Sequence, residues 1–294
     1  VPQGASDSAA LDSVFELLVR AGRSAPMAKS LLVPEAWSKR TTMPDSHRAM
    51  YAYCNSVMEP WDGPAALVAY DGRFALAGLD RNGLRPLRYT VTRDGLLIVG
   101  SEAGMVVVEE ENIIEKGRLG PGQMIAVDLV DGHFYHDLEL KNALANARPF
   151  ENWVRHFKDF AEIVDEHSEE PAGYEKTELL WRQLLAGLSH EDLELILHPQ
   201  ADDGKEAIGS MGDDTPLAVL SSHYRPLSHY FRQNFSQVTN PPIDPLREQR
   251  VMSLKTRFGN FGNVLDGDNP QNNVLILESP VLTSREYAAL LDYW

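Results

Sequence analysis

The sequence predicts an α+β fold, and three observations carry that prediction. Apolar residues recur at helical spacing early in the chain. Between 64 and 136, three Asp-Gly pairs each separate two short apolar runs. Helical spacing then returns in an acidic stretch after 138.

In the first part, Ser6-Asp7-Ser8 precedes Leu11, Val14, Phe15 and Leu18, which share one helix face. The Ser/Asp cluster supplies N-cap oxygens, and Gly22 stands where a C′ glycine belongs. A second helix is expected from Pro26 in its first turn to about Leu32, stopped by Pro34, and a third over 46–58. The period then changes. Runs at 65–70 and 74–79 flank Asp71-Gly72, runs at 87–92 and 96–100 flank Asp94-Gly95, and runs at 123–129 and 133–136 flank Asp131-Gly132. Each is a hairpin signal, and together they point to an antiparallel sheet.

Beyond 138, Trp153, Val154, Phe157 and Phe160 make one amphipathic face; Leu180, Trp181, Leu184 and Leu185 make another. Ser189 with Asp192 resembles a capping box, and Asp202-Asp203-Gly204 reads as a loop. A third region opens with a buried strand at 216–221 and a helix at 227–235. It passes the turn Asn240-Pro241-Pro242-Ile243-Asp244-Pro245 and ends in a strand at 274–277. Boundaries fall near 145 and 205, giving regions 1–145, 146–205 (helical and acidic) and 206–294.

A formal charge of −16 argues against nucleic acid and anionic membranes as partners, because both are held by clustered Lys and Arg. The single cysteine, Cys54, excludes an intrachain disulfide and a multi-cysteine metal site, and favours a reducing, cytoplasmic setting. No apolar run approaches the ~18 residues of a membrane span. The start Val1-Pro2-Gln3-Gly4 reads as cut from a longer chain.

Several residues could carry chemistry. Asp7 is either an acidic residue at a helix start or a carboxylate that faces a small molecule's ammonium group beside free backbone amides. Asp80-Arg81-Asn82-Gly83-Leu84-Arg85-Pro86 is either an ordinary turn or an ion-pair network or anion site. Ser101-Glu102 reads as a strand-end polar pair. His133 and His136 are expected on opposite faces of a strand, and the nine histidines form no metal-ligand pattern. Gly117-Arg118-Leu119-Gly120-Pro121-Gly122 precedes a strand rather than a helix and so is a poor phosphate loop. Ser210, Ser221 and Ser222 lack a nucleophile-elbow context, and Cys54 reads as a buried, inert thiol.

Two longer strings narrow the choice. Met58-Glu59-Pro60-Trp61-Asp62-Gly63-Pro64 followed by the Asp80–Pro86 string resembles the glutamine amidotransferase domain of the glutamate synthase large subunit. So do Ser6-Asp7-Ser8, Ser101-Glu102 and Glu115-Lys116-Gly117-Arg118 with Gly120-Pro121-Gly122. Downstream, Gly209-Ser210-Met211-Gly212-Asp213-Asp214-Thr215-Pro216 and the string from Gln237 to Glu248 resemble the opening of that family's central domain.

The resemblance implies a partial αββα sandwich of the N-terminal-nucleophile type, a helical linker and the start of an α/β central domain. It implies an enzyme in which an N-terminal cysteine attacks the glutamine amide, with ammonia passing through a tunnel to a flavin site where 2-oxoglutarate becomes glutamate. Asp7 would hold the α-ammonium of L-glutamine. Thr239 and Asn240 would either line the tunnel mouth or sit in a Pro-rich loop packing two domains.

The departures set the expectation for this chain. The chain begins at Val1 rather than at a cysteine, and the carboxylate-binding arginine and oxyanion-hole Asn-Gly would precede Ser6. FMN and an iron–sulfur cluster would lie beyond Trp294, with no cofactor on this chain. The partners implied are L-glutamine, the remainder of the same polypeptide, and a small NADPH-oxidising subunit or ferredoxin. By itself the chain is expected to be inactive, lacking nucleophile and oxyanion donors. The alternative is a non-catalytic module that binds glutamine through Asp7; a phosphoribosyltransferase-linked amidotransferase is disfavoured because no acidic pair with a Gly/Thr-rich loop follows 150.

Overall fold

The computed structural model describes residues 3–164, 173–204, 207, 217–231, 243, 245–270 and 273–293. By packing, the chain forms two compact units, Val1–Glu166 with Gln249–Trp294, and His167–Glu248. This grouping differs from the sequence boundaries near 145 and 205, because the last segment packs with the first 166 residues.

The first unit begins with three helices. In α1 (Asp7–Arg20), Ser6 is the N-cap, its extended backbone letting the hydroxyl accept from the Ala9 amide at 3.4 Å. Leu11 and Leu18 are the buried residues of its apolar face. Helix α2 (Ala25–Leu32) carries Pro26 in its first turn and is buried along nearly its whole length. Helix α3 (Asp45–Val57) buries Met50, Tyr51, Tyr53 and Cys54.

Seven strands follow in two sheets. The first has the order β1 (Ala66–Tyr70), β2 (Phe74–Leu79), β6 (Met124–Asp128), β7 (His133–Tyr135), all antiparallel. The second has the order β4 (Leu97–Gly100), β3 (Arg88–Thr92), β5 (Ile113–Arg118). All three Asp-Gly hairpins are present, closing at Tyr70↔Ala75, Val91↔Leu97 and Asp128↔His133. They are dealt between two sheets rather than one, because β2 takes β6 as its second neighbour and β3 takes β5.

At the first hairpin tip, Asp71 Oδ1 accepts from the Arg73 and Phe74 amides at 2.9 and 2.6 Å. Asp71 Oδ2 accepts from the Ala25 amide at 2.7 Å, so the hairpin caps α2, whose own Ser24 makes no side-chain cap. Gly117 and Arg118, expected to precede a strand, instead end β5. A Cβ on Gly117 would lie 2.3 Å from the Tyr89 ring, so the glycine makes room for the cross-strand aromatic.

Alternation along the strands places the first sheet between two apolar layers. Leu76, Met124, Ala126 and Tyr135 pack with α1, α2 and α3, whereas Ala77, Leu79, Ile125 and Phe134 pack with Leu87, Tyr89, Leu97 and Val99 of the second sheet and its flanks. The resulting order is helices, sheet, sheet. Each buried Leu, Ile or Met contributes about 1.5–3 kcal/mol of transfer free energy. On β1 only one face is covered, and Val68 and Tyr70 are 71% and 66% exposed.

Helix α4 (Asp137–Asn146) packs on β6, and α5 (Phe150–Val154) brings Phe150 and Trp153 within 5.3 Å of each other around Tyr53. The amphipathic face expected over 153–160 is broken, because α5 stops at Val154 and Phe160 lies in a short 3-10 turn. Strand β8 (Lys158–Asp159) pairs parallel with β10 (Leu275–Leu277), which pairs antiparallel with β9 (Thr256–Phe258). Arg23 Nη2 donates to the carbonyls of Val264 and Asp266 at 2.7 and 3.1 Å, tying the late segment to α1 and α2. The chain ends in α9 (Ser284–Tyr293).

In the second unit, α6 (Lys176–Leu185) leaves Leu180, Trp181, Leu184 and Leu185 more than half exposed. Ser189 and Asp192 form the reciprocal cap, Ser189 N donating to Asp192 Oδ2 at 2.8 Å and Asp192 N to Ser189 Oγ at 3.1 Å. A π-helical turn, Asp192–Leu197, runs into α7 (His198–Asp203). Asp202 and Asp203 are therefore helical rather than loop, with Gly204 as the left-handed cap. The strand expected at 216–221 is instead a 3-10 turn, Ala218–Leu220, with Leu220 74% exposed; residue 216 lies outside the described residues. The expected helix at 227–235 is a 3-10 turn over Leu227–Tyr230, and 232–235 lie outside the described residues. Helix α8 (Pro245–Val251) follows.

Gly83, at φ +61°, approaches Pro121 so closely that a Cβ would lie 2.6 Å from its Cα, whereas Gly72, at φ +97°, faces open space. Gly83→Ala is expected to cost about 3 kcal/mol and Gly72→Ala about 1 kcal/mol. Urea unfolding of the two variants checks this, and equal losses would contradict the close approach.

Candidate functional site

Asp7 is the first residue of α1 and is exposed. The N-cap hydrogen bond comes from Ser6, whose hydroxyl also lies 3.2 Å from that of Ser8. The Asp7 carboxylate is therefore not consumed in capping; it stands in the first turn, where the helix dipole favours an anion. Thr239 and Asn240 lie outside the described residues.

The Asp80–Pro86 string serves as a turn organiser. Asp80, 2% exposed, accepts from the Ala65 amide through Oδ1 at 3.1 Å, and from the Asn82 and Gly83 amides through Oδ2 at 2.8 and 3.3 Å. Arg81 pairs with Asp62 at 2.9 Å, so the two strings that carry the resemblance meet in space. Arg85 is exposed and Arg81 mostly buried, so the two arginines do not share one site. Ser101 and Glu102 are exposed in the loop after β4.

A buried charge cluster was not anticipated. Lys141 of α4 is 2% exposed; its Nζ donates to Glu35 Oε1 at 2.9 Å, Asp137 Oδ1 at 2.8 Å and the Gly122 carbonyl at 3.2 Å. Glu35 also binds Arg40 at 2.7 Å, and Asp137 Oδ1 accepts from the Met124 amide at 2.9 Å. Lys29 of α2, 2% exposed, lies beside Gly78, where a Cβ would come 3.1 Å from its Cε. Burial, reinforced by the Lys141 charge and opposed by Asp137, Glu35 and Asp80, lowers the Lys29 ammonium to about 7. Burial, with Glu35 alongside, holds the Tyr51 phenol well above its usual value. The sequence does carry a signal for this cluster: Lys29 is the one charge in an eight-residue helix whose other residues, apart from Ser30, are apolar.

Cys54 is fully buried, and burial pushes its thiol up to about 12, so it is no nucleophile at neutral pH. Tyr89 donates to Glu115 at 2.6 Å, and His136 lies 2.9 Å from the same oxygen; Tyr89, by its burial first, is raised to about 12. His136 is the N-cap of α4 rather than a strand residue, so the two histidines are not on opposite faces of one strand. Among the described residues no group of three or more His, Cys, Asp and Glu is placed to hold a metal ion. Nor is any helix among them long and apolar enough to cross a membrane.

Two cavities of the first unit bear on the site. One, of about 390 Å³, is lined by Glu35, Trp37, Asn55, Glu59, Arg81 and Arg257 among others. The other, of about 540 Å³, is an open groove on the outer face of the second sheet, beside Arg88, Thr90, Ile98 and Glu102. Asp7 lines neither.

A layered helix–sheet–sheet unit with an exposed acidic helix start and these strings defines a class. The family profile of class-II glutamine amidotransferases matches residues 1–153, and the chain belongs to that family. The profile of the glutamate synthase central domain matches residues 181–293. The glutamate synthase (NADPH) large chain of Azospirillum brasilense is 62% identical over 99% of this chain. Ferredoxin-dependent glutamate synthase 2 of Synechocystis is 44% identical over 99%, and the glutamate synthase (NADPH) large chain of Bacillus subtilis 43% identical over 97%. The chain spans 19% of the length of each of these relatives.

Because the folded Lys29 value lies below its unfolded value of 10.5, the unfolded chain binds more protons between about pH 7 and 10.5, and stability from this group rises across that window. Lys29→Met is expected to be the more stable form near pH 7 by up to about 4 kcal/mol, with the advantage shrinking towards pH 10. Urea titrations at stepped pH measure it; an advantage that grows with pH would contradict the cost of the buried ammonium.

Proposed function

We propose that this chain works as part of a glutamate synthase large subunit, which hydrolyses L-glutamine and delivers the ammonia to 2-oxoglutarate to form L-glutamate. Residues 1–145 would be the later part of the glutaminase domain, 146–205 a helical acidic linker and 206–294 the opening of the central domain. The profile matches at 1–153 and 181–293 support a change of domain between them. The observed helix–sheet–sheet order supports three layers of an αββα N-terminal-nucleophile sandwich, the fourth coming from polypeptide outside residues 1–294.

The observation that carries the division of labour is the state of Cys54. Attack on a glutamine amide needs an accessible thiolate. The only cysteine here is fully buried, with its thiol held at about 12. The nucleophile is therefore supplied by other polypeptide, and residues 1–294 alone do not turn over glutamine. What this chain supplies is Asp7, whose exposed carboxylate would grip the α-ammonium of L-glutamine and orient the side-chain amide towards the thiol. Thr239 and Asn240 would line the tunnel mouth or the domain contact beside it.

An iron–sulfur cluster is held by several cysteine thiolates, and one buried cysteine does not fit that donor set. We assign the cluster and the FMN to polypeptide beyond residue 294. The electron partner would be a small NADPH-oxidising subunit or ferredoxin, and the setting cytoplasmic.

In the full polypeptide, Asp7→Ala is expected to raise KM for L-glutamine by about 100-fold, the worth of one charged hydrogen bond. Cys54→Ser is expected to leave glutaminase kcat within about twofold, since it removes no reacting group. Steady-state glutaminase assays read both. An unchanged KM for Asp7→Ala, or a dead Cys54→Ser enzyme with an unaltered melting curve, would overturn the assignment.

A further inference from the structure

The cavity of about 390 Å³ in the first unit is lined by two arginines, Arg81 and Arg257. Arg257 lies on β9, its backbone in register with Ile276. Its side chain is half-buried, and its guanidinium stands 5.9 Å over the Trp37 ring. Nε is buried with no acceptor, and no acidic side chain among the described residues is within ion-pair distance of the group. Glu278, the nearest opposite charge in effect, is bound by Lys255. Burial, opposed by the Glu278 charge, lowers the Arg257 pKa.

Arg81, on the same cavity, gives one terminal nitrogen to Asp62 at 2.9 Å, while its Nε is also buried without an acceptor. Two arginines thus line one space, and no acidic side chain pairs with Arg257 among the described residues. The unfilled acceptors there are the buried Asn55 Oδ1 and the exposed carboxylate of Glu59. Glu35 is already taken, one oxygen by Arg40 and the other by Lys141.

A partly desolvated guanidinium such as that of Arg257 is stabilised by an anion. The planar fork of arginine suits a carboxylate. We propose that this cavity binds a small amino carboxylate, of amino-acid size, its carboxylate on Arg257 and Arg81 and its ammonium on Asn55 and Glu59. A phosphate dianion fits less well, because Glu35 and Glu59 line the same space. The volume sits at the small end of ligand pockets, and Trp37, Met58 and Phe261 supply an apolar wall for an aliphatic stem. This site is separate from the proposed glutamine grip, since Asp7 does not line the cavity.

The test is equilibrium dialysis of the full polypeptide with labelled L-glutamate, competed by glutarate, which lacks the ammonium, and by inorganic phosphate. A saturable component is expected that Arg257→Gln weakens at least about tenfold, the scale of one lost charged hydrogen bond. Arg257→Lys, which keeps the charge and guards against misfolding, should weaken it less. Asp7→Ala should leave this component unchanged, and that result separates the present site from the glutaminase assignment. Glutarate should compete more weakly than L-glutamate, and phosphate hardly at all. A titration in which Arg257→Gln weakens no saturable component, or in which the one component it weakens is lost equally with Asp7→Ala, overturns the proposal. So does a structure of the full polypeptide in which an Asp or Glu from outside residues 1–294 occupies the Arg257 guanidinium.

Discussion

Strands β2 and β6 of the first sheet must be buried on both faces, and the rest of the first unit follows from that constraint. Leu76, Met124 and Ala126 need helices on one side, and Ala77, Leu79 and Ile125 need a second sheet on the other. A strand that alternates between two apolar layers tolerates no register slip, since a shift of one residue would exchange the two sets. The helical layer carries a further demand. It buries two ammonium groups, Lys29 and Lys141, against β2 and β6. Lys141 is matched by Glu35 and Asp137, whereas Lys29 is accommodated by surrender of charge and by the missing side chain of Gly78. The polar cluster thus fixes how α2 and α4 meet the sheet, at a cost that the apolar layers offset.

Much of this was legible because local chemistry and tertiary packing agree. Asp71-Gly72, Asp94-Gly95 and Asp131-Gly132 mark hairpins through turn geometry alone, and all three form. What could not be read is which hairpin joins which sheet, because β2–β6 and β3–β5 pairing is long-range. Strand β5 was hidden by Glu115, Lys116 and Arg118, which give it no apolar run, and by Gly117, which looks like a loop residue until Tyr89 is seen against it. The short apolar run at 217–220 erred in the other direction: a few apolar residues do not distinguish a strand from a turn, and here they form an exposed 3-10 turn.

The site divides in the same way. Position before a helix left Asp7 between a cap and a ligand carboxylate, and only the resemblance favoured the second; the structure leaves its carboxylate exposed while Ser6 does the capping. Asp80 and Arg81 were visible as a motif, but their partners, the Ala65 amide just after the neighbouring motif and Asp62 within it, needed the fold. Arg257 carries no signal in sequence; its significance lies in a cavity shared with Trp37 and Arg81, far away along the chain.

The central claim is that this chain grips glutamine while another stretch of polypeptide attacks it. The most direct measurement is a structure of the full polypeptide after reaction with 6-diazo-5-oxo-L-norleucine, a glutamine mimic that alkylates the attacking thiol. The account requires the adduct on a cysteine outside residues 1–294, its α-ammonium hydrogen-bonded to Asp7, and Cys54 unmodified within α3. An adduct on Cys54, or an ammonium group held by residues other than Asp7, would contradict it.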